Sequence, residues 1–231
     1  ELAAEPDQSG TPVTPNAPGP EPTQPVPPQL DHLVYAVPDL AAALARLEAT
    51  FGVTPLPGGR HSAWGTRNAL LSLGRDAYLE IIGRDPAASS SEPPVLFGIA
   101  DLTAPRLATW AARADLAEVA ARAQAAGIDL GASLPGSRLQ PDGSTIAWRL
   151  TDPFQHRAGG LLPFFIDWGS SHHPGAVSGP VELIRFHAEH PEPDRIARQL
   201  AALGVGLQVD AGPRPLLSAT FRTPRGTVTL T

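Results

Sequence analysis

Residues 30–83 read LDHLVYAVPDLAAALARLEATFGVTPLPGGRHSAWGTRNALLSLGRDAYLEIIG. The signals run strand, helix, short strand, long strand, strand. Residues 30–37 set Leu30, His32, Val34 and Ala36 on one face and Asp31, Leu33, Tyr35 and Val37 on the other, as in a strand covered on both sides. Pro38 and Asp39 open a helix over 40–50, with Asp39 as N-cap, Leu40, Leu44 and Leu47 on one stripe, and Gly52 as the stop. Pro57, Gly58 and Gly59 make a turn. The long strand over 64–73 carries Thr66, Asn68, Leu70 and Ser72 on one face. A hairpin turn at 74–76 leads to a strand over 78–82, where Tyr78, Glu80 and Ile82 share a face. His32 and Glu80 are polar residues among apolar neighbours, in the first and last strands, where a curved sheet would aim both inward.

The same order returns twice. A strand over 107–112, a helix over 115–126 capped by Asp115 and closed by Gly127, and strands over 136–139, 145–150 and 161–168 form a second unit, with a turn at 141–143. A strand over 181–186, a helix over 194–203 stopped by Gly204, and a hairpin over 217–230 form a third. Such a period, about 60–75 residues, is an architectural signal. It predicts an α+β fold of repeated βαβββ modules (about 30–83, 105–168 and 181–231) whose strands form a cupped mixed sheet with the helices outside. The Ser- and Pro-rich stretch 85–105 reads as a connection.

Residues 1–29 contain nine prolines and hardly any large apolar residue. Such a segment buries too little surface to offset its ordering entropy, so a disordered or polyproline-like tail that packs little is expected. It carries Glu1, Glu5, Asp7 and Glu21 and no Arg, so it holds −4 of the formal charge of −6 and leaves the remainder at −2. All 17 basic residues are Arg, which excludes Schiff-base chemistry on a lysine. The chain has no Cys, hence no disulfide, thiolate nucleophile or Cys-ligated metal. Its acidic balance without a basic cluster argues against nucleic acid as a partner. No apolar run of ~18 residues argues for a membrane span. No GxSxG, P-loop or Rossmann fingerprint is present. With no Met, the chain is expected to be processed or truncated, a removed signal peptide staying open. The cytoplasm is the expected compartment, with secretion or the periplasm also open. The expected partners are a small-molecule substrate and a second copy in a homodimer.

The opening unit and its later copies resemble the vicinal oxygen chelate superfamily, whose βαβββ modules pair into a cupped sheet of the glyoxalase/bleomycin resistance/dihydroxybiphenyl dioxygenase-like kind. GGRHSAWGTRNALLSLG, YLEIIG and the later LPFFIDWGSSHHPG look like the glyoxalase-like domain branch, over residues 30–231. The resemblance implies a small-molecule pocket, in either a metal-dependent lyase, isomerase or dioxygenase or a metal-free protein that sequesters its ligand. In the metal-dependent members each module gives a His from its first strand and a carboxylate from its last. His32 and Glu80 match those places. Arg185 and Thr229 fall opposite them in the third module, while the second offers Ala108 and, shifted by one, Asp167. The two-His, two-carboxylate set is incomplete.

Several candidates follow, each with a structural alternative. His32 and Glu80 could hold a divalent ion (Zn, Ni, Fe or Mn) or pair with each other in a half-buried site that contributes little stability. His61, after Gly58 and Gly59, could be a third ligand or a general base beside Glu80, or an exposed loop residue. Asn68 could hold a substrate carbonyl or be a satisfied polar core residue. Trp64, like Trp148 and Trp168, could wall a pocket or fill a core. Arg149 could bind an anionic substrate group or pair with Asp152 or Asp167. His173 precedes Pro174 as in the family motif and could cover the pocket mouth as a substrate-binding residue. His187 and His190, near a strand end, read as solvated.

Overall fold

A computed structural model of the chain describes residues 26–74, 76–88, 96–139, 143–155, 157–176 and 179–231. The expectations for 1–25, 75, 89–95 and 141–142 lie outside those residues. The first unit is β1 (Leu30–Ala36), α1 (Leu40–Phe51), β2 (Leu56–His61), β3 (Thr66–Gly74) and β4 (Ala77–Arg84). The second is β5 (Arg106–Arg113), α2 (Leu116–Ala125), β6 (Leu134–Leu139), β7 (Thr145–Leu150) and β8 (Phe164–Asp167). The third is β9 (Glu182–His190), α3 (Pro193–Ala202), β10 (Gln208–Ala211), β11 (Leu216–Thr223) and β12 (Gly226–Leu230). Local chemistry sets the helix ends. The Asp39 side chain accepts from the Ala42 N–H, Asp115 accepts from Ala117 and Glu118, and Gly52 closes α1 in the left-handed region at φ 72°.

The first two units close one barrel in the order β1-β4-β3-β2-β6-β7-β8-β5, with β5 returning to β1. In each unit the first strand runs parallel to the last, β1 with β4 and β5 with β8. The units join along a long antiparallel seam, β1 with β5, and a short one where Arg60 of β2 pairs with Leu139 of β6. The larger core lies outside the barrel. There Leu33, Leu79 and Ile81 of the strands meet Leu40, Leu47 and Phe51 of α1 and the apolar face of the third unit. A smaller apolar cluster, including Val34, Ile82, Leu150, Phe164 and Ile166, fills the barrel.

The third unit repeats the order of elements but not the pairing. Its strands form a separate sheet, β10-β9-β11-β12, with β9 parallel to β10 and antiparallel to β11. A closed ring offers no edge for it to join, so it packs outside, with Phe186 meeting Trp110 edge-on at 5.5 Å. Arg185 and Thr229 therefore do not take the places of His32 and Glu80, because both lie in this outer sheet. β9 also runs on to His190, which is buried rather than solvated and accepts a hydrogen bond from the Glu192 N–H. No helix among the described residues is long and apolar enough to cross a membrane.

Packing begins before Leu30. Pro27 is buried, Val26 lies against the main core, and the Gln29 and Pro27 carbonyls accept from the Arg113 and Leu30 N–H groups. A chain starting at Leu30 is therefore expected to be less stable than one starting at Val26 by about 1–2 kcal/mol. Thermal melts of the two should differ by about 3–6 °C, and equal melting would show that Val26–Gln29 contribute nothing.

Candidate functional site

Strand register decides which side chains enter the barrel. β1 and β4 pair His32 with Tyr78 and Val34 with Glu80, and β4 and β3 pair Glu80 with Leu70 and Ile82 with Asn68. Directly paired residues share a face, so His32, Glu80 and Asn68 all point inward. Across the short seam, β6 and β7 pair Arg138 with Ile146 and Gly136 with Trp148 on the same inner face. His61, Trp64 and Trp168 complete the wall. The sequence candidates His32, His61, Trp64, Asn68 and Glu80 thus line one cavity.

Asp31 organises this cavity. A β-bulge at Asp31 sets Leu30 opposite Ala112 and His32 opposite Ala111, leaving Asp31 as the extra residue of β1. The bulge re-aims its side chain, so Asp31 lies beside His32 instead of on the opposite face. Its fully buried carboxylate accepts from His32 Nδ1 at 2.6 Å, Trp168 Nε1 at 3.0 Å and His173 Nε2 at 2.9 Å. The His173 tautomer is set from both ends, because its Nδ1 accepts from the Gly175 N–H. Burial pushes the Asp31 pKa up, but the hydrogen bonds and charges of His173 and His32 outweigh it and hold the carboxyl well below the usual range. Asp31 is therefore ionised and accepts the hydrogen bond of His32 Nδ1–H. That leaves His32 Nε2 facing the cavity, 3.7 Å from Glu80 Oε2. The other oxygen of Glu80 accepts from Asn68 Nδ2 at 2.6 Å. Tyr78 stacks on the His32 ring at 4.7 Å and Phe164 meets it edge-on.

His61 is buried, with Nδ1 3.0 Å from the Thr66 hydroxyl and its ring between Trp64 and Trp148. Burial lowers its pKa, Arg138 and His32 add to the effect, and Glu80 opposes it. The cavity itself is only about 30 Å³, room for one or two waters. Leu96 and Phe97 from the 85–105 connection form part of its wall, and the Phe97 ring stacks on Phe164. Phe97 has φ 54°, a conformation that costs a non-glycine residue about 1 kcal/mol.

Two expectations are corrected. Arg149 is exposed and donates to Ser133, because its neighbours Trp148 and Leu150 take the inward positions on β7. The inward cation is Arg138, which the sequence reading missed. His173 lies outside the inner cavity, its ring bonded to Asp31 between Tyr78 and Trp168, and it lines the adjoining groove. Asp167 is exposed and accepts from the Gly169 N–H, while Ile166 takes the inward place beside it. Asp31 was also missed, having been assigned to the outer face by strict alternation. A metal can be tested against these donors. His32 Nε2 and Glu80 Oε2 converge, but no group of three or more His, Asp or Glu among the described residues could hold an ion. Two donors leave most of a coordination shell unfilled, so this set does not fit a resident Zn, Ni, Fe or Mn ion.

A barrel of two βαβββ modules with a polar cluster on its inner face defines a vicinal oxygen chelate fold. The chain belongs to the glyoxalase-like domain family, whose model matches residues 30–204. Among solved structures it is similar to a hypothetical protein from Staphylococcus aureus, at 13% identity and a TM-score of 0.64 over 81% of this chain and 87% of that one. A methylmalonyl-CoA epimerase from Mycobacterium tuberculosis is 23% identical, with a TM-score of 0.39 over 60% of this chain and 86% of its own. One from Streptomyces coelicolor is 19% identical, with a TM-score of 0.42 over 60% of this chain and 95% of its own. At these identities the likeness is one of fold. No curated protein matches the chain.

The depressed pKa of His61 makes stability depend on pH. The unfolded chain takes up the proton near pH 6.5, the ordinary histidine value, whereas the folded chain resists it to lower pH. The stability present above about pH 6.5 is therefore lost as the pH falls toward the folded pKa. His187, pushed the same way chiefly by burial, adds to this limb. Denaturant melts at pH 7.5 and 5.5 should show the loss, and His61→Gln should reduce it. An unchanged limb in that variant would place His61 in a solvated setting.

Proposed function

We propose that this chain is a small-molecule enzyme of the isomerase or lyase class that moves a proton with Glu80 and His32. The observation that carries this reading is that His32 Nε2 and Glu80 Oε2 face each other 3.7 Å apart in the inner cavity; in the proposed reading His32 is neutral, so both accept. They are too far apart to bond each other and close enough to engage one donor between them. Asn68 holds the Glu80 carboxylate and Asp31 fixes the His32 tautomer. In the proposed step, Glu80 Oε2 takes a proton from a carbon next to a carbonyl. The C–H bond breaks and its electron pair moves into the carbonyl as an enolate. The proton then passes to His32 Nε2, through a substrate oxygen or one water, and is returned at a second position. His61 gives the enolate oxygen a neutral hydrogen-bonding partner, and Trp64 closes the cavity wall. A dioxygenase of the non-haem iron type would need two His and one carboxylate, one ligand more than this pair supplies. The second reading, a protein that binds and sequesters a small molecule without metal, is favoured by the lack, among the described residues, of a third side chain to complete a metal-ligand set.

Deuterium exchange from D2O into a panel of 2-keto acids and 1,3-dicarbonyl compounds, followed by proton NMR, separates these readings. The wild type should exchange at least one compound, and Glu80→Gln should slow that exchange by at least 100-fold, the scale of a lost general base. Equal rates in the two proteins, or no exchange with any compound, would leave the sequestering reading. After dialysis the protein should hold less than one metal ion per chain. His32→Ala should also lower stability by about 1–3 kcal/mol, more than a half-used pair would, because Asp31 is left buried and one donor short.

A further inference from the structure

Arg138 is 4% exposed, and its Nε has no hydrogen-bond partner among the described residues. No carboxylate among those residues pairs with it. A buried guanidinium without a counter-charge is destabilising by several kcal/mol unless something else satisfies it. The backbone around it is nonetheless shaped to receive it. A Cβ on Gly59, which sits at φ 150°, would lie 2.7 Å from Arg138 Cγ and 2.4 Å from the Leu139 carbonyl oxygen. A Cβ on Gly58 would lie 3.1 Å from Arg138 Nη1 and 2.1 Å from Asn68 Oδ1. Asn68 Oδ1 is itself buried and without a hydrogen-bond partner among the described residues. Two unsatisfied polar groups, a donor and an acceptor, thus sit together behind a pair of glycines.

Arg138 also stands between two spaces. It lines the inner cavity of about 30 Å³ and a groove of about 690 Å³, and among the described residues no other lines both. The larger volume falls in the ordinary range for small-molecule sites, roughly 300–1,000 Å³. Leu70 and Ile146, both on the inner face by register, give the groove apolar walls, with Leu56 exposed at its rim.

We propose that Arg138 anchors the carboxylate of a small organic acid whose apolar body lies in this groove. The proposal deepens the proton-transfer reading, on which it rests, by naming the substrate class. A guanidinium grips a carboxylate through two parallel N–H donors, and the ligand's own N–H or O–H could satisfy Asn68 Oδ1. A monoanion suits the site better than a phosphate dianion, because the inner cavity already holds the Glu80 carboxylate and no second cation among the described residues lines it. The acid group would place the adjoining carbon at the entrance to the cavity of His32 and Glu80.

The test titrates the full chain with hexanoate, its neutral amide hexanamide, and inorganic phosphate, reading tryptophan fluorescence. Hexanoate should bind at least tenfold more tightly than hexanamide. Arg138→Met should reduce hexanoate binding to the level of the amide, and phosphate should compete poorly. Arg138→Met should melt at or above the wild-type temperature, since it removes an unpaired buried charge; Arg138→Lys, which keeps the charge without the fork, should bind hexanoate with intermediate affinity and serves if the Met variant does not fold. Equal binding of acid and amide, unchanged binding in the Arg138 variants, or displacement by phosphate at lower concentration than hexanoate overturns the proposal. Glu80→Gln should keep hexanoate binding. A blank exchange assay with intact hexanoate binding sinks the proton-transfer reading alone, whereas exchange without preference for the acid sinks this inference alone.

Discussion

The buried carboxylate of Asp31 is the constraint on which the site depends. Its donors come from three places in the chain: His32 in β1, Trp168 just after β8, and His173 in the loop beyond. Removing a carboxylate from water is unfavourable unless nearly all its lone pairs are used, so these three side chains are held where they are. The first unit is thereby fastened to the end of the second at the level of the cavity. The ring positions follow from it. His32 keeps its proton on Nδ1, Trp168 packs against Trp148 at 5.2 Å, and His173 packs against Tyr78. Gly175 permits this, since a Cβ there would meet His173 Cε1 at 2.8 Å and the Ala77 backbone at 3.0 Å.

On the other side of the barrel, glycine makes the room. Gly136 lies across from Trp148, and a Cβ there would sit 2.2 Å from the indole nitrogen. Gly58 and Gly59 do the same for Asn68 and Arg138. The cavity is therefore bounded by large side chains that stand where their cross-strand neighbours have none. This geometry puts aromatic and cationic groups close to Glu80 without widening the barrel.

Much of the architecture was legible in the sequence. The helix stops at Gly52, Gly127 and Gly204, the caps at Asp39 and Asp115, and the strands of the first unit came from short-range chemistry that tertiary packing does not override. The inward set of His32, Asn68 and Glu80 came from alternation, which holds wherever a strand is regular. What was missed has a common cause: information that alternation does not carry. A bulge breaks parity at Asp31, and only pairing with β5 reveals it. The inward cation is on β6, a short glycine- and proline-containing strand whose face cannot be read alone, so the sequence points to Arg149 and gives no sign of Arg138. The third unit has the right order of elements, but order does not specify which strand pairs with which.

That third unit differs from the barrel in one further respect. The barrel's strands close on themselves, so each of its strands already has a neighbour on both sides. The outer sheet ends in β10 and β12, each with one side unclaimed by another strand among the described residues. Strand addition, whether by a peptide or by another copy, requires a free row of backbone donors and acceptors. The barrel that carries the chemistry is thus closed to such association, and any growth of the sheet must take place on the unit that plays no part in the cavity.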